Sequence, residues 1–164
     1  MNMPNSNISA PAWRVSQWFN APAPIDLADL KGRVVALHAF QMLCPGCVSH
    51  GLPQAQKIHS VFDEKDVVVI GLHTVFEHHD AMTPTSLDAF LHEYQLTFPV
   101  GVDEKGDIGP IPKTMEAYGM RGTPTLLLID RNGFVREHSF GQLDDMAVGA
   151  RISSLVAEQL HITE

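Results

Sequence analysis

Basic side chains, cysteines and long apolar runs are all scarce in this sequence of 164 residues. Lysine and arginine together number 11 against 19 aspartates and glutamates, a formal net charge of −8. That balance argues against a general nucleic-acid binder, although a local basic patch stays open. No apolar run approaches the roughly 18 residues of a membrane-spanning helix, so no membrane partner is expected. Residues 1–12 lack the basic start and continuous apolar stretch of a secretory leader. They are rich in proline, serine and asparagine and read as a flexible N-terminal arm. Residues 13–164 then form a single domain. With no address in the sequence as given, the expected location is the cytoplasm.

There are two cysteines, Cys44 and Cys47. A disulfide between them would close too small a loop to remove much chain entropy, so a structural staple is the weaker reading. No staple is needed. Apolar residues make up 45% of the chain, and a domain of this size buries about two-thirds of its unfolded surface.

The apolar pattern then divides the chain. Residues 13–19 alternate as a short strand, and 27–30 suit one helical turn. Residues 33–40 (RVVALHAF) and 67–72 (VVVIGL) read as buried strands. Between them Val48, Leu52, Ala55, His59 and Phe62 recur at steps of three and four, one face of a helix. Pro53 falls inside that helix and is expected to kink it. Leu87, Phe90, Leu91 and Tyr94 mark a second helix, with Pro84 near its start. A short strand (98–102), a helix over 113–118 stopped by Gly119, a strand (125–129) and its hairpin partner (134–140) follow. Asn132-Gly133 is the turn signal between the last two. Val148, Ile152, Leu155, Val156 and Leu160 make a final amphipathic helix. Alternating elements ending in a hairpin imply an α/β fold, a central mixed β-sheet flanked by helices on both faces.

Cys44-Pro45-Gly46-Cys47 falls at the junction of the first buried strand and its helix. Helix N-termini present unpaired amides and partial positive charge, both of which stabilise a thiolate. Cys44 is therefore the expected nucleophile, with Cys47 one turn further in to resolve the mixed disulfide. Within a βαβ pattern such a pair reads as a redox dithiol. A zinc or copper half-site and an inert buried pair are the alternatives. Pro45 carries no amide hydrogen, so the sulfur relies on the amides of Gly46 and Cys47. A second signal is Arg121-Gly122-Thr123-Pro124-Thr125. A proline at the mouth of a strand cannot donate to the ladder. It suits either a cis turn that frees the Thr123 backbone for an extended substrate, or an ordinary loop.

LKGRVVALHAF, CPGC, FPVGVD (98–103) and YGMRGTPTLLLIDRNG (118–133) together resemble the thioredoxin superfamily, in its TlpA-like and redoxin (AhpC-TSA-like) branch. The resemblance implies a thioredoxin-like fold, Cys44 as nucleophile, Cys47 as resolving thiol and Pro124 as a cis-proline. Four positions depart from the branch. Leu43 stands where tryptophan is common, and Pro45-Gly46 reverses the usual order. His50 replaces a frequent glutamate, and Pro53 comes one place late. His38 stands six residues before Cys44, where thioredoxin resembles this pattern but carries a buried aspartate. It is a candidate for proton transfer with Cys47, or a satisfied core histidine.

The expected activity is thiol–disulfide exchange, reducing a disulfide-bearing protein or small molecule, with a cellular thiol reductant to restore the dithiol. No cofactor and no metal are called for. A thiol peroxidase is one alternative. The peroxiredoxin pattern Pro-x-x-x-Thr-x-x-Cys is not met, since its places hold Leu37 and Gln41 before Cys44, and Phe40 and Cys44 before Cys47. A copper or zinc carrier using the two cysteines with His50 or His73 is another. His73, His78 and His79, with Glu77 and Asp80, read as solvated loop surface rather than a metal cluster. Were that loop to fold over the dithiol, Phe76 and His73 would shape a substrate groove.

Overall fold

The computed structural model describes residues 8–160. One six-stranded sheet runs in the order β1-β4-β3-β2-β5-β6. Its strands are β1 (Val15–Phe19), β2 (Val34–Phe40), β3 (Val67–His73), β4 (Val100–Asp103), β5 (Thr125–Ile129) and β6 (Val135–Phe140). Helices α1 (Leu52–Val61), α2 (Pro84–Glu93), α3 (Lys113–Tyr118) and α4 (Asp145–Ala157) cover it, with a 3-10 turn at Leu27–Leu30 and a π turn at Cys47–Gly51. Parallel pairs β2/β3 and β3/β4 meet antiparallel pairs β2/β5, β5/β6 and β1/β4, so the sheet is mixed.

Strand alternation sorts the core into two layers. Ala36, Phe40, Leu126 and Leu128 face the side that also holds Leu52, Leu87, Ile152 and Leu155. Leu37, Leu127 and Ile129 face the other side, with Trp13, Met115 and Tyr118. The central strands β2 and β5 are buried on both faces, which is why they read as unbroken apolar runs. Gly119 ends α3 in the left-handed region (φ 63°), donating to the carbonyls of Glu116 and Met115. Asp130 closes the β5–β6 turn by accepting the N–H groups of Asn132 (2.9 Å) and Phe134 (3.0 Å).

Of the arm expected over 1–12, residues 1–7 lie outside the described residues. Residues 8–12 are hydrogen-bonded to the folded unit. Val135 N–H donates to Ile8 O (2.9 Å), Ala10 N–H to Gly133 O (2.9 Å) and the Tyr118 hydroxyl to Pro11 O (2.6 Å). The reason is the free edge of β6, whose opening residues find partners in this segment. No helix among the described residues is long and apolar enough to cross a membrane.

Asp103 ties β4 to α3 and to the loop after β3. Its buried carboxylate accepts the N–H of Thr114 (2.8 Å) and Met115 (3.0 Å) and the hydroxyl of Thr74 (3.0 Å). Burial pushes its pKa up, against the pull of those donors. Asp103→Ala strands three donors and is expected to cost about 2–4 kcal/mol of unfolding free energy. Urea midpoints of the variant and wild type check this.

Candidate active site

β2 delivers the chain to the site, and two buried side chains hold its exit. Gln41 Oε1 accepts the N–H of Phe76 (3.2 Å), and His73 Nε2 accepts the N–H of Met42 (3.3 Å). Thr74 N–H donates to Phe40 O (3.1 Å) and Cys44 N–H to Gln41 O (3.1 Å). The tail of β3 thus clamps the segment leading to the first cysteine. Sequence reading missed both roles. The available signal was a glutamine at the end of an apolar strand.

Cys44 is partly buried and Cys47 fully so, both as free thiols. The Cys47 N–H donates to Cys44 Sγ at 3.3 Å, one of the two amides expected to serve it. The Cys44 thiol in turn lies 3.5 Å from the Thr123 carbonyl oxygen, to which it donates. Burial pushes the Cys47 thiol up to about 12, with the neighbouring Cys44 thiol adding to the rise. One sulfur is therefore reachable, and the other is held protonated.

The Thr123–Pro124 peptide is cis. The proline ring sits against two glycines of the cysteine turn. A Cβ at Gly46 would lie 3.3 Å from Pro124 Cδ, and one at Gly51 would lie 3.0 Å from Pro124 Cβ. Gly51 reaches the ring through the π turn, closed by Leu52 N–H donating to Cys47 O. That turn takes up the residue by which Pro53 is displaced. Pro53 falls inside a helical run that continues over 45–61, and the irregularity associated with it is the π turn immediately before it.

His38 is buried on β2, 3% exposed, and its Nε2 has no protein partner among the described residues. Burial lowers its pKa from 6.5 to about 4. It lines a cavity of about 240 Å³ shared with Gly51, Gln54, Lys57, Pro124 and Asp145. Lys57 pairs there with Asp145 at 2.5 Å. His50 is exposed on the π turn, its Nδ1 2.7 Å from Ser49 Oγ.

The histidines after β3 separate. His78 and His79 are exposed. His73, read from the sequence as loop surface, is instead 1% exposed and ends β3. Register pairs it with Phe40, whose ring centroid is 5.1 Å away. Burial lowers its pKa to about 4 as well. Among the described residues no three or more His, Cys, Asp or Glu side chains gather to hold a metal ion.

A reachable thiol and a buried one, at the start of a helix and beside a cis-proline on a mixed sheet, define a thioredoxin-fold dithiol protein. The chain matches the AhpC/TSA family over residues 9–138 and belongs to it. A thioredoxin-like superfamily protein of known crystal structure is 57% identical, with a TM-score of 0.91 over 93% of this chain and 98% of that one. A thiol-disulfide isomerase from Corynebacterium glutamicum is 49% identical, with a TM-score of 0.87 over 92% of this chain and 98% of that one. The thiol-disulfide oxidoreductase ResA of Bacillus thuringiensis is 34% identical over 119 residues, covering 72% of this chain and 61% of that protein. The chain spans about three-fifths of the length of the curated relatives it matches.

The cytoplasmic expectation is corrected by these comparisons. The proteins the chain resembles include at least one whose name places it outside the cytoplasm. It is an exposed lipoprotein thioredoxin of Streptococcus pneumoniae, 24% identical, with a TM-score of 0.63 over 80% of this chain and 91% of that one. The expectation had rested on the residues with which the sequence opens, and those carry no information on compartment. The preference for reduction, drawn from a reducing cytoplasm, loses its ground with it.

Two predictions follow the geometry. The unfolded chain takes up protons on His38 and His73 near 6.5, the folded chain only near 4. Acidification loads the unfolded chain first, so stability falls between those values, by up to about 3 kcal/mol per histidine. Urea unfolding at pH 7 and pH 4.5 measures the drop, which is expected to shrink in a His38→Asn/His73→Gln variant and is refuted for these groups by an equal drop. Gly51→Ala drives a methyl into the Pro124 ring and is expected to cost about 1–3 kcal/mol, with slower alkylation of Cys44 by iodoacetamide as the site-level readout.

Proposed function

We propose that this chain exchanges thiols for disulfides on disulfide-bearing substrates, with Cys44 as nucleophile and Cys47 as resolving thiol. The observation that carries the reading is the asymmetry of the pair. The Cys44 sulfur is partly exposed and receives the Cys47 N–H at 3.3 Å, while the Cys47 sulfur is buried.

The Cys44 thiolate attacks one sulfur of the substrate disulfide. A bond from Cys44 to that sulfur forms, the substrate S–S bond breaks, and the first substrate thiolate leaves and takes a proton. Cys47 then attacks Cys44, forming the intramolecular disulfide and expelling the second thiolate, and the proton Cys47 gives up passes by way of a base to that leaving thiolate. The protein dithiol is oxidised by two electrons and the substrate reduced by two. A cellular thiol reductant reverses these steps on the protein. Pro45 and Gly46 shape the turn, Thr123 offers backbone to an extended substrate, and the Pro124 ring holds that segment against the turn.

Removing the proton from Cys47 is the costly part, because burial holds that thiol at about 12. His38 is our candidate acceptor. Burial keeps it neutral at physiological pH, and it faces the same side of the sheet as Cys47. The transfer accompanies S–S bond formation, so a free Cys47 thiolate never has to persist in the interior.

Insulin and hydroxyethyl disulfide reduction test the scheme. Cys44→Ser is expected to fall to background. Cys47→Ser should accumulate a mixed disulfide on Cys44, visible as a mass increase. His38→Asn should displace the pH dependence of the resolving step, and an unchanged profile removes that role.

A further inference from the structure

The lip of the site carries a charged side chain for which the exchange chemistry has no use. Arg121 stands two residues before Thr123, and its guanidinium carbon lies 5.9 Å from the centroid of the Phe140 ring. Phe140 ends β6 and remains 53% exposed. Its ring packs on Gly122, where a Cβ would meet Phe140 Cε2 at 3.0 Å. The same backbone is tied down on both sides of the cis bond. Thr125 Oγ1 donates to Gly122 O (2.7 Å), and Gly141 N–H donates to Pro124 O (2.9 Å). Ring and cation are thus built onto the strand mouth that touches the Cys44 sulfur. Beyond that sulfur Leu43 is 59% exposed.

Arg121 is exposed and, like several other cations, makes no ion pair among the described residues; what sets it apart is its place on the Phe140 ring beside the dithiol. A cation resting on an aromatic ring at the mouth of the dithiol strand, in a chain of net charge −8, offers a negative group a partner there. We propose that Arg121, held on the Phe140 ring, selects protein disulfides whose reacting cysteine is flanked by an acidic residue in an extended segment. This rests on the exchange reading above and names its substrate class.

The reach fits. Two residues of extended chain span about 7 Å. A substrate backbone lying along Thr123 with its cysteine at Cys44 therefore brings a side chain about two positions away over Arg121. A guanidinium resting on an aromatic face keeps its edge donors free and is partly ordered in advance, which suits a carboxylate taken by two parallel bonds. The other charged groups nearby, His50, Lys57, Asp144 and Asp145, line the cavity on the π-turn and α4 side of Pro124, and Asp145 is already engaged by Lys57. Arg121 is thereby the charge that meets the segment.

The test uses two oxidised peptides, identical except for Asp or Lys two residues from the central cysteine, and reads the ratio of their kcat/KM values. Wild type is expected to favour the Asp peptide by about two- to five-fold at low salt, the range of a single exposed ion pair, with the preference fading at high salt. Arg121→Gln should bring the ratio near one, and Arg121→Glu should invert it. The same ratio in all three proteins overturns the proposal. Hydroxyethyl disulfide, small and uncharged, separates the two layers of the argument. Wild type that turns it over but ignores the flanking charge loses only the selection by Arg121. Wild type that fails to turn it over loses the exchange reading and this inference together.

Discussion

The contact between the Cys44 sulfur and the Thr123 carbonyl, at 3.5 Å, joins segments 79 residues apart in sequence. Everything proposed for the site depends on it. It is held by the sheet rather than by the loops themselves. β2 and β5 run side by side in antiparallel register, with Ala39 opposite Thr125, so the exit of one strand and the entrance of the other fall at the same edge. The Pro124 ring, lodged against Gly46 and Gly51, then fixes the depth at which the two segments meet. Larger side chains at either glycine would push the cysteine turn off the ring.

Several polar groups lie buried around that contact, and each is disposed differently. Gln41 and His73 are buried but spend their polar atoms on backbone N–H groups, which makes them a clamp on the strand exit. His38 Nε2 is buried with no such partner among the described residues, the arrangement expected of a group kept for chemistry or accepted at a cost to stability. Cys47 is shielded, and burial pushes its thiol up. Charge gathers at the rim, where Arg121 meets solvent over an aromatic ring. On the proposed reading, sulfur exchange falls to the partly buried Cys44 and partner discrimination to the exposed Arg121 beside it.

Much of this was legible along the chain because the relevant signals are local. VVALHAF and TLLLI are apolar on both faces, and only a central strand accepts that. Asn132-Gly133 sits where a hairpin needs left-handed backbone, and Gly133 adopts φ 90°. The cysteine pair at a strand-to-helix junction was equally plain. The π turn was not. Its trace was a single displaced proline, and whether the extra residue becomes a kink or a wide turn depends on the distant Pro124 ring. His73 misled for a related reason. The run from His73 to Asp80 is polar in composition, yet its first residue belongs to β3 and is carried inside by pairing with Phe40. The location was misjudged because it was read from residues 1–12, which carry no information on compartment.

By itself, then, the sequence determined the order of elements, the α/β architecture with helices on both faces of one sheet and the spacing of the dithiol, since hydrophobic periodicity and turn chemistry act over a few residues. The tertiary structure alone decided which sulfur is reachable, which histidines are buried, and that Arg121, Phe140 and Cys44 share one rim. Those are properties of burial and of contacts between remote segments. They exist only after the strands have paired and the water has been displaced.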